Sequence, residues 1–178
     1  AGFVGEDGET HHGLFDVAML TTVPGVTVYS PSDTAELSQC LEQALYKDKG
    51  VVAVRYPRGC ELYRSGTKAY SDFRHVSNKS RKLIFTYGRI SAYAYTIHGV
   101  DVLQAIKIFP IADEIIDICL AYDEIYACEE GEREGGIAQK LCTALALAGY
   151  KGRFTITAVD GFVRHADVAT QLHNAMLD

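Results

Sequence analysis

The chain has 178 residues, and its hydrophobic share of 48% is enough to build the core of one ordinary domain or two small ones. Its 17 Lys and Arg against 23 Asp and Glu give a net charge of -6, which repels phosphate backbones and argues against a nucleic-acid partner. Apolar runs such as 51–54 and 115–121 are too short to cross a bilayer, and the first residues lack the pattern of a secretory signal. Composition therefore predicts a folded, acidic, intracellular protein with neither a nucleic-acid nor a membrane partner.

Cysteine usage and the first residue bear on the origin of the chain. The cysteines are odd in number, widely spread and without a Cys-x-x-Cys pair: Cys40, Cys60, Cys119, Cys128 and Cys142. This spacing argues against a disulfide framework and a structural zinc site, so most of them are predicted to be small core residues. Because the chain starts at Ala1 and its first residues resemble the interior of a domain, we expect a piece of a longer protein.

Strand-like and helix-like segments alternate along the chain, which is typical of an α/β protein with a mostly parallel sheet. In the first third, the apolar pattern predicts a short helix over 14–20, a strand over 26–29 and a buried strand over 51–54. Between the two strands, Ser32 is the predicted N-cap of a helix with Asp33 in its first turn, and the apolar face of this helix is formed by Leu37, Leu41 and Leu45.

The composition changes over 61–80, where small, polar and basic residues are frequent and neither the helical nor the strand period persists. This stretch is therefore a predicted linker. Beyond it, strands are predicted over 82–87, 102–109, 125–128 and 154–159, and helices over 112–121, 136–148 and 168–177.

The densest cluster of reactive groups lies in the glycine-rich segment 5–13. Its glycines let the backbone turn tightly, while Asp7, Thr10, His11 and His12 bring an acid, a hydroxyl and two imidazoles into one loop. Since imidazole titrates near neutral pH and a carboxylate can fix its tautomer, the cluster has the ingredients of a proton-transfer site. The alternative is a surface turn in which Asp7 caps the following helix. Metal binding through both histidines is disfavoured, because adjacent side chains rarely reach one ion.

Two further clusters follow predicted strands. Arg55 and Arg58 come directly after the strand 51–54, and loops in this position form the ligand crevice of open α/β sheets. An arginine there offers a planar fork for a phosphate or carboxylate group, and the alternative is an ordinary surface or interdomain salt bridge. The acidic run Glu129–Glu134 is predicted to be a solvated loop that leads to a helix N-terminus, where carboxylates interact favourably with the helix dipole.

Four strings stand out in chain order: Gly5-Glu6-Asp7-Gly8-Glu9-Thr10-His11-His12-Gly13-Leu14-Phe15-Asp16, Ser30-Pro31-Ser32-Asp33, Val54-Arg55-Tyr56-Pro57-Arg58-Gly59 and Thr86-Tyr87-Gly88-Arg89-Ile90. Together they resemble the C-terminal part of the 1-deoxy-D-xylulose-5-phosphate synthase family, thiamine-diphosphate enzymes of the transketolase group. The resemblance implies mostly parallel sheets with helices on both faces. It also implies that 1–60 are the last part of a pyrimidine-binding domain, 61–80 a linker and 81–178 a transketolase C-terminal domain.

The resemblance implies a reaction and the residues that perform it. In this family, pyruvate loses carbon dioxide and its two-carbon unit adds to glyceraldehyde 3-phosphate, which supplies precursors of isoprenoids, thiamine and pyridoxal. His11 matches the family's active-site histidine, which moves protons, and Asp7 matches the acid that orients substrate hydroxyls. Arg58 matches the arginine that binds the phosphate of glyceraldehyde 3-phosphate. The resemblance thus assigns catalysis to His11 and Asp7 and phosphate binding to Arg58.

Thiamine diphosphate and Mg2+ are the cofactors that the resemblance implies for the intact enzyme, a transferase. The chain lacks the Gly-Asp-Gly and downstream Asn pattern with which the family binds them, so no cofactor or metal ligand is assigned in it. By itself the chain is expected neither to bind thiamine diphosphate tightly nor to turn over. The intact enzyme is expected to be a homodimer in the cytoplasm, or in the plastid stroma if the source is a plant.

Two alternatives to this interpretation stay open. The first is a truncated, non-catalytic module that serves dimerisation or regulation, since a fold does not guarantee an activity. The second is a transketolase that acts on sugar phosphates. In addition, the stretch between Ile90 and Val102 is short for the helix that the family places there, so this helix is in doubt.

Overall fold

The computed structural model describes residues 1–62, 64 and 69–178. We refer to 1–62 as the first block and to 69–178 as the second block. The described helices are α1 (Asp16–Leu20), α2 (Thr34–Tyr46), α3 (Ser91–Ala94), α4 (Asp113–Leu120), α5 (Ile137–Leu147) and α6 (Val168–Asn174). The described strands are β1 (Thr27–Tyr29), β2 (Val52–Val54), β3 (Phe73–Val76), β4 (Lys82–Tyr87), β5 (Asp101–Ala105), β6 (Lys107–Phe109), β7 (Glu124–Glu132) and β8 (Arg153–Val159). Short 3₁₀ turns cover Gly5–Asp7 and Gly88–Ile90.

The larger sheet of the described chain lies in the second block, with the strand order β3-β5-β4-β7-β8. β4 pairs in parallel with β5 and β7, and β7 pairs in parallel with β8, whereas the edge strand β3 is antiparallel to β5. β4 is buried from Leu83 to Tyr87, as expected for the central strand of a sheet covered on both faces. The prediction of an α/β fold with mostly parallel strands is confirmed.

A smaller sheet joins the two blocks. Its order among the described strands is β2-β1-β6, with β1 parallel to β2 and antiparallel to β6. Val26 and Val28 of the first block also pack in the same apolar cluster as Leu83, Phe85 and Leu103 of the second block. The two blocks therefore share both a sheet and a core.

The strand predicted over 102–109 is divided between the two sheets. The N–H groups of Ile106 and Lys107 both donate to Asp72 O, at 2.8 and 2.9 Å, and Ser30 N donates to Ile106 O at 2.7 Å. Since these bonds draw Ile106 out of the ladder, β5 ends just before it and β6 starts just after it. The prediction of one strand is wrong because a strand that changes sheet has the same apolar composition as a continuous one.

α2 departs from the prediction at its start and on its apolar face. Its N-cap is Asp33, whose Oδ1 accepts from Glu36 N at 2.8 Å, so the prediction of Ser32 as the cap is wrong. The Ser32 hydroxyl instead donates to the buried Glu36 carboxylate at 2.8 Å. Leu41 and Leu45 are 42% and 70% exposed, because the core of the described chain lies against another face of this helix.

The predicted linker 61–80 contains β3, and its residues 63 and 65–68 lie outside the described part of the chain. In β3, Phe73 is in register with Ala105 of β5. The end of the predicted linker is therefore part of the folded second block, because an antiparallel ladder ties it to the larger sheet.

The prediction that most cysteines are core residues agrees with the structure in part. Cys40 and Cys119 are buried core residues, and burial raises the pKa of each thiol to about 12, whereas Cys128 and Cys142 are half-buried and Cys60 is exposed. The connection after Gly88 contains α3, which is only one turn long, as its shortness in the sequence suggested. No helix in the described ranges has both the length and the apolar character that a membrane span requires.

The amino end of β5 carries a buried carboxylate that holds the loop before β4. Asp101 is 1% exposed and accepts from the hydroxyls of Ser77 and Tyr122 at 2.7 Å each, and from Asn78 N and Ser80 N at 2.7 and 3.0 Å. Burial by itself would raise the pKa of Asp101, but these hydrogen bonds outweigh burial and lower the pKa to about 2. The folded state therefore stabilises the charged form of this carboxyl group.

Asp101→Asn is expected to lower the free energy of unfolding by about 1–3 kcal/mol near neutral pH, because it removes charge-assisted acceptors. The folded pKa of Asp101, about 2, lies below its ordinary value of 3.8, so its contribution is present above the ordinary value and is lost as the pH falls towards 2. Urea unfolding across this acid range measures the effect, and the variant should lack this part of the acid destabilisation. The same acid destabilisation in the variant and the unmodified chain would contradict this account.

Candidate functional site

The glycine-rich segment that the sequence marks as a reactive cluster closes on itself. Gly2 N donates to Gly13 O at 3.0 Å and Gly13 N donates to Gly2 O at 2.9 Å, so the two ends lie side by side. The 3₁₀ turn between them is followed by Gly8, whose φ of 78° favours glycine. This backbone leaves the side chains of Asp7 and His11 exposed. We call the segment from Gly2 to Gly13 the site loop.

A second loop brings Arg58 to the site loop. After β2, the chain turns so that the Arg58 guanidinium forms an ion pair with the Asp7 carboxylate. The two side chains are 62% and 41% exposed, so water screens their attraction strongly. Asp7 therefore pairs with an arginine of this second loop, rather than capping the helix that follows its own loop. We call the residues Tyr56–Gly59 the arginine loop.

His11 and Arg58 line the same cleft. Nδ1 of His11 lies 2.9 Å from Thr10 Oγ1, and the His11 side chain is exposed. The cleft has a volume of about 550 Å³, and its wall includes both loops together with Asp16 and Arg55. An adjacent cavity of about 360 Å³ shares Arg58 and reaches the start of α2. The structure thus places His11 and Arg58 on the wall of a space that suits a small organic ligand, and Asp7 contacts Arg58 beside it.

His12, the neighbour of His11, faces the protein and holds the site loop. Its Nδ1 accepts from Val4 N at 3.1 Å, its Nε2 lies 3.3 Å from Gln171 Nε2, and its ring packs edge-on against Phe3. Because these contacts join the loop to α6, the two histidines have separate surroundings. The described residues contain no group of three His, Cys, Asp or Glu side chains that could hold a metal ion.

Arg55, from the same string as Arg58, is a buried structural residue. Its Nε lies 3.0 Å from each carboxylate oxygen of Asp16, and its Nη2 donates to Gly13 O at 3.0 Å and to Glu130 O at 2.6 Å. These contacts connect the site loop and α1 to the end of β7. Arg55 therefore forms a buried salt bridge with Asp16, whereas Arg58 forms an exposed salt bridge with Asp7, as the surface alternative for this string describes.

The prediction of a solvated loop over Glu129–Glu134 is wrong for its first residues. β7 continues into this run, and Glu129 and Glu130 are only 1% and 3% exposed. Glu129 accepts from Tyr87 Oη at 2.7 Å and from the first two N–H groups of α5 at 2.9 and 3.2 Å. The expected contact with a helix N-terminus therefore exists, but inside the protein, where burial raises the pKa of Glu129.

Glu130 and Arg89 are site-supporting residues that sequence reasoning missed. Arg89 Nε donates to Glu130 Oε2 at 2.9 Å, and Arg89 Nη2 contacts Glu130 Oε1. Both residues also reach the site loop at Phe3, through its N–H and its carbonyl. Arg89 lies in the last of the four strings that carry the family resemblance, and both residues come shortly after a predicted strand, where the loops of a ligand crevice begin in α/β sheets.

Comparisons with known sequences connect this geometry to one family. Residues 1–61 match the family model for the transketolase pyrimidine-binding domain. The whole chain is 34% identical to a 1-deoxy-D-xylulose-5-phosphate synthase of Chlorobium phaeovibrioides and 31% identical to one of Thermus thermophilus, and it covers 30% of each. A stretch of 76 residues, 43% of the chain, is 50% identical to the synthase of Chlorobaculum tepidum, of which it covers 12%.

Solved structures share the fold. A split-gene transketolase, described as an inactive beta4 tetramer, aligns with 95% of this chain and 58% of its own, with a TM-score of 0.72 and 18% identity. A transketolase from Campylobacter jejuni aligns with 98% of this chain and 28% of its own, with a TM-score of 0.69 and 14% identity. At these identities, the likeness establishes the fold alone.

Residues 1–61 thus match the pyrimidine-binding domain of transketolases, and the chain has the fold of solved transketolases. The relatives that match along the whole chain are 1-deoxy-D-xylulose-5-phosphate synthases, which confirms the resemblance carried by the four strings. The chain spans about 30% of the length of these relatives.

Replacing Arg55 and Arg58 one at a time tests whether the buried arginine contributes more to stability than the exposed one. Arg55→Met is expected to lower the free energy of unfolding by about 3–5 kcal/mol, because it leaves a carboxylate and two carbonyl groups without their donor. Arg58→Met should change it by less than about 1 kcal/mol, because exposed ion pairs contribute little. Urea denaturation of both variants beside the unmodified protein measures the difference. Equal losses in the two variants would show that the two arginines do not differ in role.

Proposed function

We propose that the polypeptide carrying this chain is a 1-deoxy-D-xylulose-5-phosphate synthase, a transferase that joins a two-carbon unit from pyruvate to glyceraldehyde 3-phosphate. The observation that carries the proposal is the contact between the site loop and the arginine loop: His11 and Arg58 line one cleft, and Asp7 pairs with Arg58. Similarity to synthases along the whole chain supports the choice of substrates. In this proposal, 1–60 belong to the pyrimidine-binding domain and 81–178 to the transketolase C-terminal domain. The strand β3, which precedes residue 81, adds an edge strand to the sheet of the C-terminal domain.

Arg58 is the proposed phosphate-binding residue. Its guanidinium is exposed on the cleft and offers a planar fork that suits two phosphate oxygens. Without substrate, this fork holds the Asp7 carboxylate. A phosphate group carries more negative charge than a carboxylate, so the substrate displaces Asp7 from Arg58. Asp7 is then free to accept a hydrogen bond from a substrate hydroxyl, which is the role that the family resemblance implies.

His11 is the proposed proton-moving residue. It lies on the same cleft as Arg58, and its Nδ1 is held beside Thr10 Oγ1 at 2.9 Å. We assign its Nε2 to a substrate oxygen, because the two ring nitrogens of a histidine serve different partners. A protonated histidine ring in this place can donate its Nε2 proton to the carbonyl oxygen of glyceraldehyde 3-phosphate as the new carbon–carbon bond forms, and the ring is then neutral.

The described residues do not fit the diphosphate and metal end of the implied cofactor. They include no cluster of three potential metal ligands, and the Arg55 guanidinium beside the cleft is engaged by Asp16, Gly13 and Glu130. We therefore assign the binding of thiamine diphosphate and Mg2+ to parts of the enzyme outside this chain. When bound there, thiamine supplies the carbon–carbon bond chemistry. A homodimer in the cytoplasm, or in the plastid stroma of a plant, completes the proposal.

His11→Ala and Arg58→Ala should separate the two roles in the intact polypeptide. His11→Ala is expected to lower kcat by about 100-fold or more, because a positioned proton-transfer group contributes at least that much. Arg58→Ala should raise the KM for glyceraldehyde 3-phosphate at least about tenfold and leave the KM for pyruvate unchanged, because only the former carries a phosphate. Steady-state assays of carbon dioxide release and of product formation measure both effects.

Matched controls lie away from the cleft. His173→Ala removes an exposed histidine that contacts Asp178, and Arg81→Ala removes an exposed arginine paired with Asp123, and both variants should keep their activity. An unmodified polypeptide that does not consume pyruvate would refute the proposed function. Turnover of sugar phosphates alone would instead identify a transketolase. Partner binding without turnover, unaffected by every variant, would identify a non-catalytic module.

A further inference from the structure

One buried arginine touches both loops of the proposed site. Arg89 is 5% exposed and lies in the 3₁₀ turn directly after β4, the central strand of the larger sheet. Its Nη2 donates to Phe3 O at 2.9 Å, in the site loop, and its Nη1 donates to Arg58 O at 3.2 Å, in the arginine loop. Its Nε donates to Glu130 Oε2 at 2.9 Å. A single guanidinium from the second block therefore connects the two loops of the first block.

Glu130 completes the hold on the site loop. Its Oε1 accepts from Phe3 N at 2.6 Å, so the ion pair of Arg89 and Glu130 binds both the N–H and the carbonyl of one residue. Phe3 is fully buried, so these backbone groups have no access to water as a substitute partner. A Cβ atom at Gly2 would collide with the Glu130 carboxylate, so this close approach requires glycine. The start of the site loop is thus fixed by hydrogen bonds and by packing.

The contacts of Arg89 differ from those of an ion pair that only stabilises the second block. In such a pair, Glu130 would be the one partner that Arg89 needs. Arg89 also donates to main-chain oxygens on two separate loops, which carry the residues proposed to move protons and to bind phosphate. A guanidinium can do this because its donors point in several fixed directions within one plane. A lysine ammonium is a compact charge on a flexible stem and cannot replace these contacts together.

We propose that Arg89 is a positioning residue, which sets the distance between Arg58 and the site loop that carries Asp7 and His11. It acts through main-chain oxygens, those of Phe3 and Arg58, and not through contact with substrate. The inference rests on the proposed function, because that function makes the spacing of the two loops matter for turnover.

Arg89→Lys in the intact polypeptide tests this role, with Arg81→Lys as the matched control at the opposite end of β4. Hydrogen–deuterium exchange read by mass spectrometry should be at least about tenfold faster over 2–13 and 56–60 than in the unmodified protein. Exchange over α5 should stay unchanged, because Arg89 does not hold that helix. The control should leave all of these segments unchanged.

A kinetic measurement separates positioning from stability. Arg89→Lys should raise the KM for glyceraldehyde 3-phosphate at least about fivefold and leave the KM for pyruvate unchanged. In an Arg58→Ala background, the same substitution should raise this KM no further, because a positioning effect vanishes once the positioned group is removed. A merely structural role would reduce the amount of folded enzyme and leave both KM values as they are.

Glu130→Gln is the second variant, for the case that Arg89→Lys does not fold. It keeps the size of the side chain, weakens its pairing with Arg89, and should produce the same faster exchange and the same change in KM. Unchanged exchange over 2–13 and 56–60 would overturn the inference. The inference would also be overturned if Arg89→Lys raised the KM for glyceraldehyde 3-phosphate by the same factor in the Arg58→Ala background as in the unmodified protein. A third outcome is that Arg89→Lys or Glu130→Gln exchanges faster, while Arg58→Ala alone leaves the KM for glyceraldehyde 3-phosphate unchanged. This outcome would support the positioning role of Arg89 and would refute the proposed phosphate-binding role of Arg58.

Discussion

The buried ion pair of Arg89 and Glu130 is the interaction on which the rest of the site depends. Removing two charges from water costs several kcal/mol per ion, and this cost is offset only where the charges are paired and hydrogen-bonded. Here the partners are the two side chains themselves and the main chains of Phe3 and Arg58. Desolvation is therefore offset only when both loops of the first block are in place. This condition couples the formation of the cleft to the fold of the second block.

One edge of the larger sheet supplies both charges. Arg89 follows β4, Glu130 lies near the end of β7, and these neighbouring strands are parallel. Glu129, next to Glu130, binds the N-terminus of α5 on the other face, because side chains along a strand alternate between faces. The carboxyl edge of a parallel sheet commonly forms the ligand crevice itself. In this chain, the edge supports the loops that form the cleft, and the exposed groups come from the first block.

Local patterns made the fold class predictable and marked candidate site residues, whereas contacts between distant residues could not be predicted. Asp7 and His11 lie in one glycine-rich loop and Arg58 lies in the loop after β2, so short stretches of sequence were enough to mark them as candidates. Which of Arg55 and Arg58 is buried could not be predicted, because burial is decided by residues distant in the chain. Glu130 lies 41 residues after Arg89, and its acidic neighbours indicated solvent. The strand over 102–109 was misjudged for the same reason, since the carbonyl that divides it belongs to another segment.

Segment-resolved unfolding tests most directly the claim that buried charges couple the two blocks. Hydrogen–deuterium exchange of the intact polypeptide in increasing urea measures the unfolding midpoint of the first block separately from that of β4 and β7. A common midpoint is expected in the unmodified protein, with a lower midpoint for the first block alone in Glu130→Gln. Separate midpoints already in the unmodified protein, unchanged in Glu130→Gln, would contradict the coupling, because the second block would then not be holding the first.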